Sequence, residues 1–163
     1  MKKRVLHIVR HGKASWKYDN ILDYDRPLKN KGIKGAYEVA EKLRAFVKPQ
    51  LIISSPANRA LHTATIFCRV LEYPLNELRL NEILYGSHEE VVFNLLVRTD
   101  PSVEALMIVG HNPTFTELAN RFVVDEIENI PTSGCVSITF ESENWKDISK
   151  DNIVSVNFVV PNE

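Results

Sequence analysis

Much that would point to a specialised class of protein is scarce or missing in this chain. Its 163 residues hold two cysteines, Cys68 and Cys135, far apart and in no CxxC pair. A disulfide framework is excluded, and there is no zinc-ligand spacing. No apolar run approaches the ~18–20 residues of a membrane-spanning helix. After "MKKR" the apolar stretch Val5–Val9 is too short for a secretory signal. Neither charge sign dominates: 20 basic and 21 acidic residues leave a formal charge of −1. No global field favours nucleic acid or an anionic membrane, so any anion site must be a local cluster. There is no linker rich in Pro, Gly or Ser, no low-complexity tract and no repeat period. These absences predict one domain over residues 1–163, located in the cytoplasm, with neither nucleic acid nor membrane as a partner.

What is present fits a soluble globular domain. Apolar residues make up 44% and charged residues 25%, enough for a sizeable core at this length. Val5–Val9, Leu51–Ser54 and Ala105–Val109 are continuous and rich in branched residues, the pattern of strands buried on both faces. Between and after them helical spacing covers Asn30–Val47, Ala57–Leu71, His88–Arg98 and Thr114–Phe122, with Pro113 suited to the opening turn of the last. Ser87 followed by Glu90 predicts a capping box at the third helix. Near the end, "SGCVSITFES" and "NIVSVNFVV" alternate, as an antiparallel hairpin does. The expected fold is α/β, a mostly parallel central sheet with an antiparallel C-terminal edge.

Two of the strands stop abruptly at histidine. "LHIVRHGKASW" ends its apolar run at Arg10 and His11, and "ALMIVGHNP" ends at His111. In an open α/β sheet ligands bind beyond the carboxyl ends of the strands. That rule gathers Arg10 and His11, Arg59 of "SSPANRA", and His111. Two guanidiniums and two imidazoles suit a small multivalent anion, because the planar fork of arginine matches phosphate oxygens. A metal is the weaker reading, since arginines would repel it. His11 is the better nucleophile, with Arg10 before it and Gly12 letting the chain turn beneath the ring. His111 would stabilise the equatorial oxygens. Either histidine alone would be read as the polar end of a strand; both together, with two arginines, favour the pocket.

"RHG" (Arg10–Gly12), "SSPANRALHTA" (Ser54–Ala64) and "GHNP" (Gly110–Pro113) together resemble the histidine phosphatase superfamily, also called phosphoglycerate-mutase-like. The short length, "DRPLKNKG" (Asp25–Gly32) and "PTSG" (Pro131–Gly134) look more specifically like the SixA-type phosphohistidine phosphatases. The resemblance implies a three-layer α/β/α sandwich and a metal-independent phosphatase without cofactor. It implies His11 as the phosphorylated nucleophile, with Arg10, Arg59 and His111 on the phosphate. It also brings Arg26 to the pocket rim, where an ion pair with Asp23 or Asp25 is the competing role. Ser55 and Asn112 sit beside motif residues and are expected to bind substrate. Glu82 of "NEILYG" matches the segment that carries a general acid in many members; pairing with Arg79 is equally open. The expected substrate is phosphohistidine on a protein. The rivals are a small-molecule phosphomonoesterase, a mutase and a noncatalytic phosphate-binding module.

The other notable residues receive ordinary roles. His7 is expected to be a satisfied core or edge residue, and Cys68 to pack. His62 stands at helical spacing from Arg59 and could brace it. Trp16 and Tyr18 could line an entrance, although loop aromatics more often pack.

Overall fold

The apolar run of β1 (Lys3–Arg10) feeds two cores at once. Leu6 and Ile8 join one cluster, with Leu106, Ile108, Phe115 and Leu118, while Val9 joins another with Val109, Ala36, Val39, Ala60 and Phe67. Burial on both faces is the reason the strand reads as unbroken rather than alternating. In this computed structural model, which describes residues 2–163, five more strands follow: β2 (Leu51–Ser54), β3 (Arg79–Leu80), β4 (Ala105–Gly110), β5 (Cys135–Glu141) and β6 (Ile153–Val159). They form one sheet in the order β3-β2-β4-β1-β5-β6. The first four of that order run parallel and β5 and β6 antiparallel. The α/β class and the antiparallel C-terminal edge are therefore as expected.

Five helices cover the faces: α1 (Asn30–Leu43), α2 (Asn58–Val70), α3 (Ile83–Gly86), α4 (Glu89–Val97) and α5 (Thr114–Asn120). Residues of α1 and α2 build one core, residues of α4 and α5 the other, which makes the three layers of an α/β/α sandwich. No helix among the described residues is long and apolar enough to cross a membrane.

Local signals err in instructive places. The expected capping box does not form: His88 is the N-cap of α4 and no side chain caps it. Ser87 instead closes α3, and its carbonyl accepts from Thr114 Oγ1 at 2.9 Å. Helix α4 starts one residue later than the box requires, with His88 and not Ser87 at its N-cap. The first helix ends at Leu43, short of Val47, in a turn where Phe46 N–H reaches the Leu43 carbonyl. Strand β3 is two exposed residues, with no apolar run to announce it.

The end of β1 away from the histidines is anchored by a buried cation. Arg4 is fully buried, and its guanidinium donates to the carbonyls of Pro101, Val103, Ser142 and Glu143. Trp145, also fully buried, donates to Val103 O at 2.6 Å. His7 is the satisfied core residue expected of it, its ring nitrogens 2.6 Å from Ser137 Oγ and 2.8 Å from Val47 O. Replacing Arg4 with Met removes a donor from four carbonyls at once, of which Val103 O keeps the Trp145 indole N–H. We expect a loss of about 2–3 kcal/mol, read as a lower urea midpoint at unchanged m-value; a midpoint equal to wild type would contradict this.

Candidate active site

Parallel pairing sets Arg10 opposite Gly110, so His11 and His111 each stand one residue past a shared strand end. His11 N–H donates to Gly110 O at 2.9 Å, and the two ring centroids are 5.1 Å apart. On the other side of β4, Ser54 pairs with Val109 and Ser55 N–H donates to Val109 O at 2.9 Å. That register brings Ser55 to His111, with Oγ 2.7 Å from Nε2. Arg59 enters from the first turn of α2.

Gly12 is required, but not by its backbone dihedrals, since no glycine among the described residues has a positive φ. The requirement is space: a Cβ on Gly12 would lie 2.8 Å from the Gly32 carbonyl oxygen of α1. The Gly12 N–H donates to Thr63 Oγ1 at 2.9 Å, and Thr63 in turn donates to Arg59 O. Loop and helix are thereby tied.

The imidazoles are set up for different tasks. His11 Nδ1 lies 2.7 Å from the Gly12 carbonyl. Only a protonated nitrogen can make that bond, so Nδ1 carries the hydrogen and the neutral ring keeps its lone pair on Nε2. Burial pushes the His11 pKa down to about 4; the Gly12 carbonyl opposes this, and the charges of Arg59, Arg10 and Arg26 add to it. His111 falls to about 3 through burial first, then the neighbouring His11 and Arg59, with Asp23 opposing. Both rings are neutral at pH 7. A Ser55 hydroxyl donating to His111 Nε2 would put the hydrogen of that ring on Nδ1.

A cavity of about 250 Å³ is walled by Arg10, His11, Arg26 and Arg59 together with Lys13 and Lys29. No carboxylate lines it among the described residues. Three buried polar atoms among the described residues lack a protein partner: Arg10 Nε and Arg59 Nε, on residues that wall the cavity, and Nδ1 of His111, which is not a wall residue but stacks near the His11 ring. Orphaned buried donors are rare and cost about 1–3 kcal/mol each. All three belong to the histidine and arginine cluster at the strand ends.

Not every residue expected at the site offers itself to a ligand. Asn112 is committed to the scaffold: its amide donates to Asn129 Oδ1 and Ile130 O, and its oxygen accepts from the N–H and hydroxyl of Thr116. Its side-chain amide is thereby fully engaged within the protein, which sets it apart from the cavity residues. Ser55 is fully buried and its hydroxyl meets the His111 ring rather than the cavity. His62 does not brace Arg59; Asp23 does. Arg59 Nη1 donates to Asp23 O at 2.7 Å and Nη2 to Asp23 Oδ2 at 3.0 Å. Arg26 is both rim residue and ion pair, walling the cavity while Nη1 donates to Asp23 Oδ1 at 3.1 Å.

Asp23 and Tyr85 are the residues that sequence reading missed. Tyr85 donates to Asp23 Oδ2 at 2.9 Å and meets the His111 ring edge-on at 5.5 Å. Burial raises the Asp23 carboxyl, but Arg26, Arg59 and Tyr85 outweigh it and hold its pKa at about 2. Its spacing from Arg26 marked it only as an ion-pair partner. Glu82 does not pair with Arg79. It accepts from Tyr24 OH at 3.1 Å, and Tyr24 packs edge-on against Tyr85 at 4.9 Å. Its carboxylate is exposed and separated from Asp23 by the two tyrosines.

The histidine phosphatase superfamily (branch 1) matches residues 6–122, and the chain belongs to that superfamily. An uncharacterised protein of Mycobacterium tuberculosis is 31% identical over 94% of this chain and 99% of its own. Among solved structures, a protein histidine phosphatase SixA complexed with tungstate is similar in fold, with TM-score 0.77 at 22% identity over 96% of this chain and 97% of that one. So is a mycobacterial glucosyl-3-phosphoglycerate phosphatase, with TM-score 0.67 at 16% identity over 99% of each chain.

The depressed histidines make acid stability a test of this geometry. In the unfolded chain both rings take up protons near the ordinary 6.5; in the fold they do so only near 4 and 3. Below pH 6.5 the unfolded state binds more protons, so nothing is lost above that pH and stability falls as the pH drops toward 4. Between pH 7.5 and 5 we expect a loss on the order of 1–2 kcal/mol per ring. Urea midpoints should show this decline in wild type and a shallower one in His111→Gln; equal slopes would contradict it.

Proposed function

We propose that the chain is a phosphatase that forms a phosphohistidine on His11, and that its substrate is phosphohistidine on a protein. The observation that carries the reading is the bond from His11 Nδ1 to the Gly12 carbonyl, which leaves an unprotonated Nε2 among the cations of the cavity. In the first step the Nε2 lone pair forms a bond to phosphorus, while the bond from phosphorus to the substrate nitrogen breaks and its electron pair leaves with the substrate ring. Arg10 and Arg59 neutralise the equatorial oxygens, and His111 donates to them from Nδ1. In the second step a water oxygen bonds to phosphorus, the pair of the broken P–N bond returns to His11 Nε2, and the water's proton passes to solvent.

Two features favour a P–N substrate. The carboxylate bonded to the site, Asp23, is ionised, with a pKa of about 2, and is a poor proton donor. Glu82 is engaged by Tyr24 and exposed, so a general-acid role would have to reach the leaving group past the two tyrosines. An alkoxide depends on such an acid, whereas imidazole is a far better leaving group. A protein substrate is supported by the exposed apolar side chains of Tyr18, Ile21 and Leu22, which follow the cavity residue Trp16 along the chain. The likeness to a SixA histidine phosphatase supports the same reading. The similar fold of a glucosyl-3-phosphoglycerate phosphatase keeps a small phosphomonoester as the second reading.

Labelled phosphohistidine peptide should leave a phosphoenzyme that is acid-labile, base-stable and absent from His11→Ala. A base-labile adduct, or one independent of His11, would reject the mechanism. In steady state the peptide should turn over at least tenfold faster than glycerol phosphate or phosphoglycerate; the reverse order would favour the small-molecule reading.

A further inference from the structure

Trp16 is 76% exposed, yet it is held in place. The guanidinium carbon of Arg26 lies 3.3 Å from the centroid of the indole, and the ring forms part of the wall of the cavity that contains His11. Arg26 is itself fixed on two sides, by Nε to Ser15 O at 3.1 Å and by Nη1 to Asp23 Oδ1 at 3.1 Å. One face of the indole is therefore occupied, and its high exposure leaves the rest of the ring open to solvent. A large aromatic ring held open at a cavity wall is a surface for something that arrives later.

Displacement at phosphorus places the leaving group in line with His11 Nε2 and on the far side of the phosphorus. The leaving group therefore projects toward the mouth of the cavity rather than its floor. At about 250 Å³ the cavity holds roughly eight water volumes, room for the phosphoryl group and the start of what it is attached to. The residues at the mouth decide which leaving groups are accepted.

We infer that Trp16, locked by Arg26, is the platform on which the leaving-group ring of the substrate stacks. It makes the site selective for a planar nitrogen heterocycle, the imidazole of phosphohistidine, over non-planar amines and alcohols. The inference rests on the phosphatase reading above. An imidazole offers the indole a flat π-face, and in its protonated form a cation as well, which the negative face of the indole attracts. With its second nitrogen protonated, the ring leaves as neutral imidazole, carrying the electron pair of the broken P–N bond. The stack acts on the leaving group alone and makes no demand on the phosphate contacts of Arg10 and Arg59.

The test is the ratio of kcat/KM for a phosphohistidine peptide to kcat/KM for phosphoramidate, which has the same P–N bond and no ring. Stacking of a planar ring on an aromatic side chain is worth about 1–3 kcal/mol. We expect W16L, which keeps apolar bulk without a π-face, to lower the ratio about tenfold, and W16F to keep it within threefold of wild type. Because both substrates share the phosphate site, any displacement of Arg26 cancels in the ratio. Trp145 is fully buried, so acrylamide quenching of fluorescence reports Trp16, and the peptide bound to H11A should protect it. An active enzyme whose ratio is unchanged in W16L would overturn the platform alone. Wild-type protein that hydrolyses neither substrate would overturn the phosphatase reading and the platform with it.

Discussion

The pairing of β1 with β4 in parallel is the constraint from which the site follows. Arg10 opposite Gly110 means that the two chains leave the sheet at the same height, each delivering a histidine with its next residue. A slip of one position would send one ring to the other face of its strand. The slip is opposed far from the site, where Leu6 and Ile8 of β1 and Leu106 and Ile108 of β4 share one core and Val9 and Val109 the other. Arg4, clasped by four carbonyls at the opposite end, pins β1 lengthwise. Ordinary packing energy thus sets a geometry that chemistry uses.

Electrostatics then separates two residues that look alike in sequence. Both histidines are kept neutral, chiefly by burial, with Arg59 and Arg10 adding to it at His11, and with His11 and then Arg59 adding to it at His111. Their hydrogen-bond partners differ: a carbonyl, which can only accept, fixes the proton of His11 on Nδ1, while His111 faces a hydroxyl, which can donate. One ring is therefore left with a bare nitrogen, and the other, where the hydroxyl donates, with an N–H to offer.

The sheet, its antiparallel edge and the four residues Arg10, His11, Arg59 and His111 were legible because strand ends and motifs are properties of short stretches. What stayed hidden is the set of contacts that a distant partner decides. Asn112 lies beside a site histidine, and nothing in "GHNP" shows that Thr116, Asn129 and Ile130 would use up its amide. Ser87 has the sequence of a helix cap, but α4 begins one residue later with His88 as its N-cap. Gly12 was correctly singled out for the wrong reason, since the neighbour that forbids a side chain is Gly32, twenty residues on. Asp23 showed its local partner, Arg26, but not Arg59 across the site.

The way the arginines are held explains how so much positive charge remains available to a ligand. Arg10 is tethered through Nη1 to the Ile130 carbonyl and Arg26 through Nε to the Ser15 carbonyl, and Arg59 Nη1 goes to the Asp23 carbonyl. Carbonyl oxygens orient a guanidinium without cancelling its charge, whereas a carboxylate on each would have neutralised the cavity before any phosphate arrived. The single exception is the Asp23 side chain, which takes one nitrogen from Arg26 and one from Arg59. Its pKa of about 2 keeps it charged, so it limits the repulsion between the two arginines and leaves the net field of the cavity positive. Arg59 gives one N–H of each terminal nitrogen to Asp23, which leaves the second N–H of Nη1 and of Nη2, and the orphaned Nε, uncommitted. An anion in the cavity can therefore draw on the free N–H groups of Arg59 while Asp23 keeps the guanidinium in place.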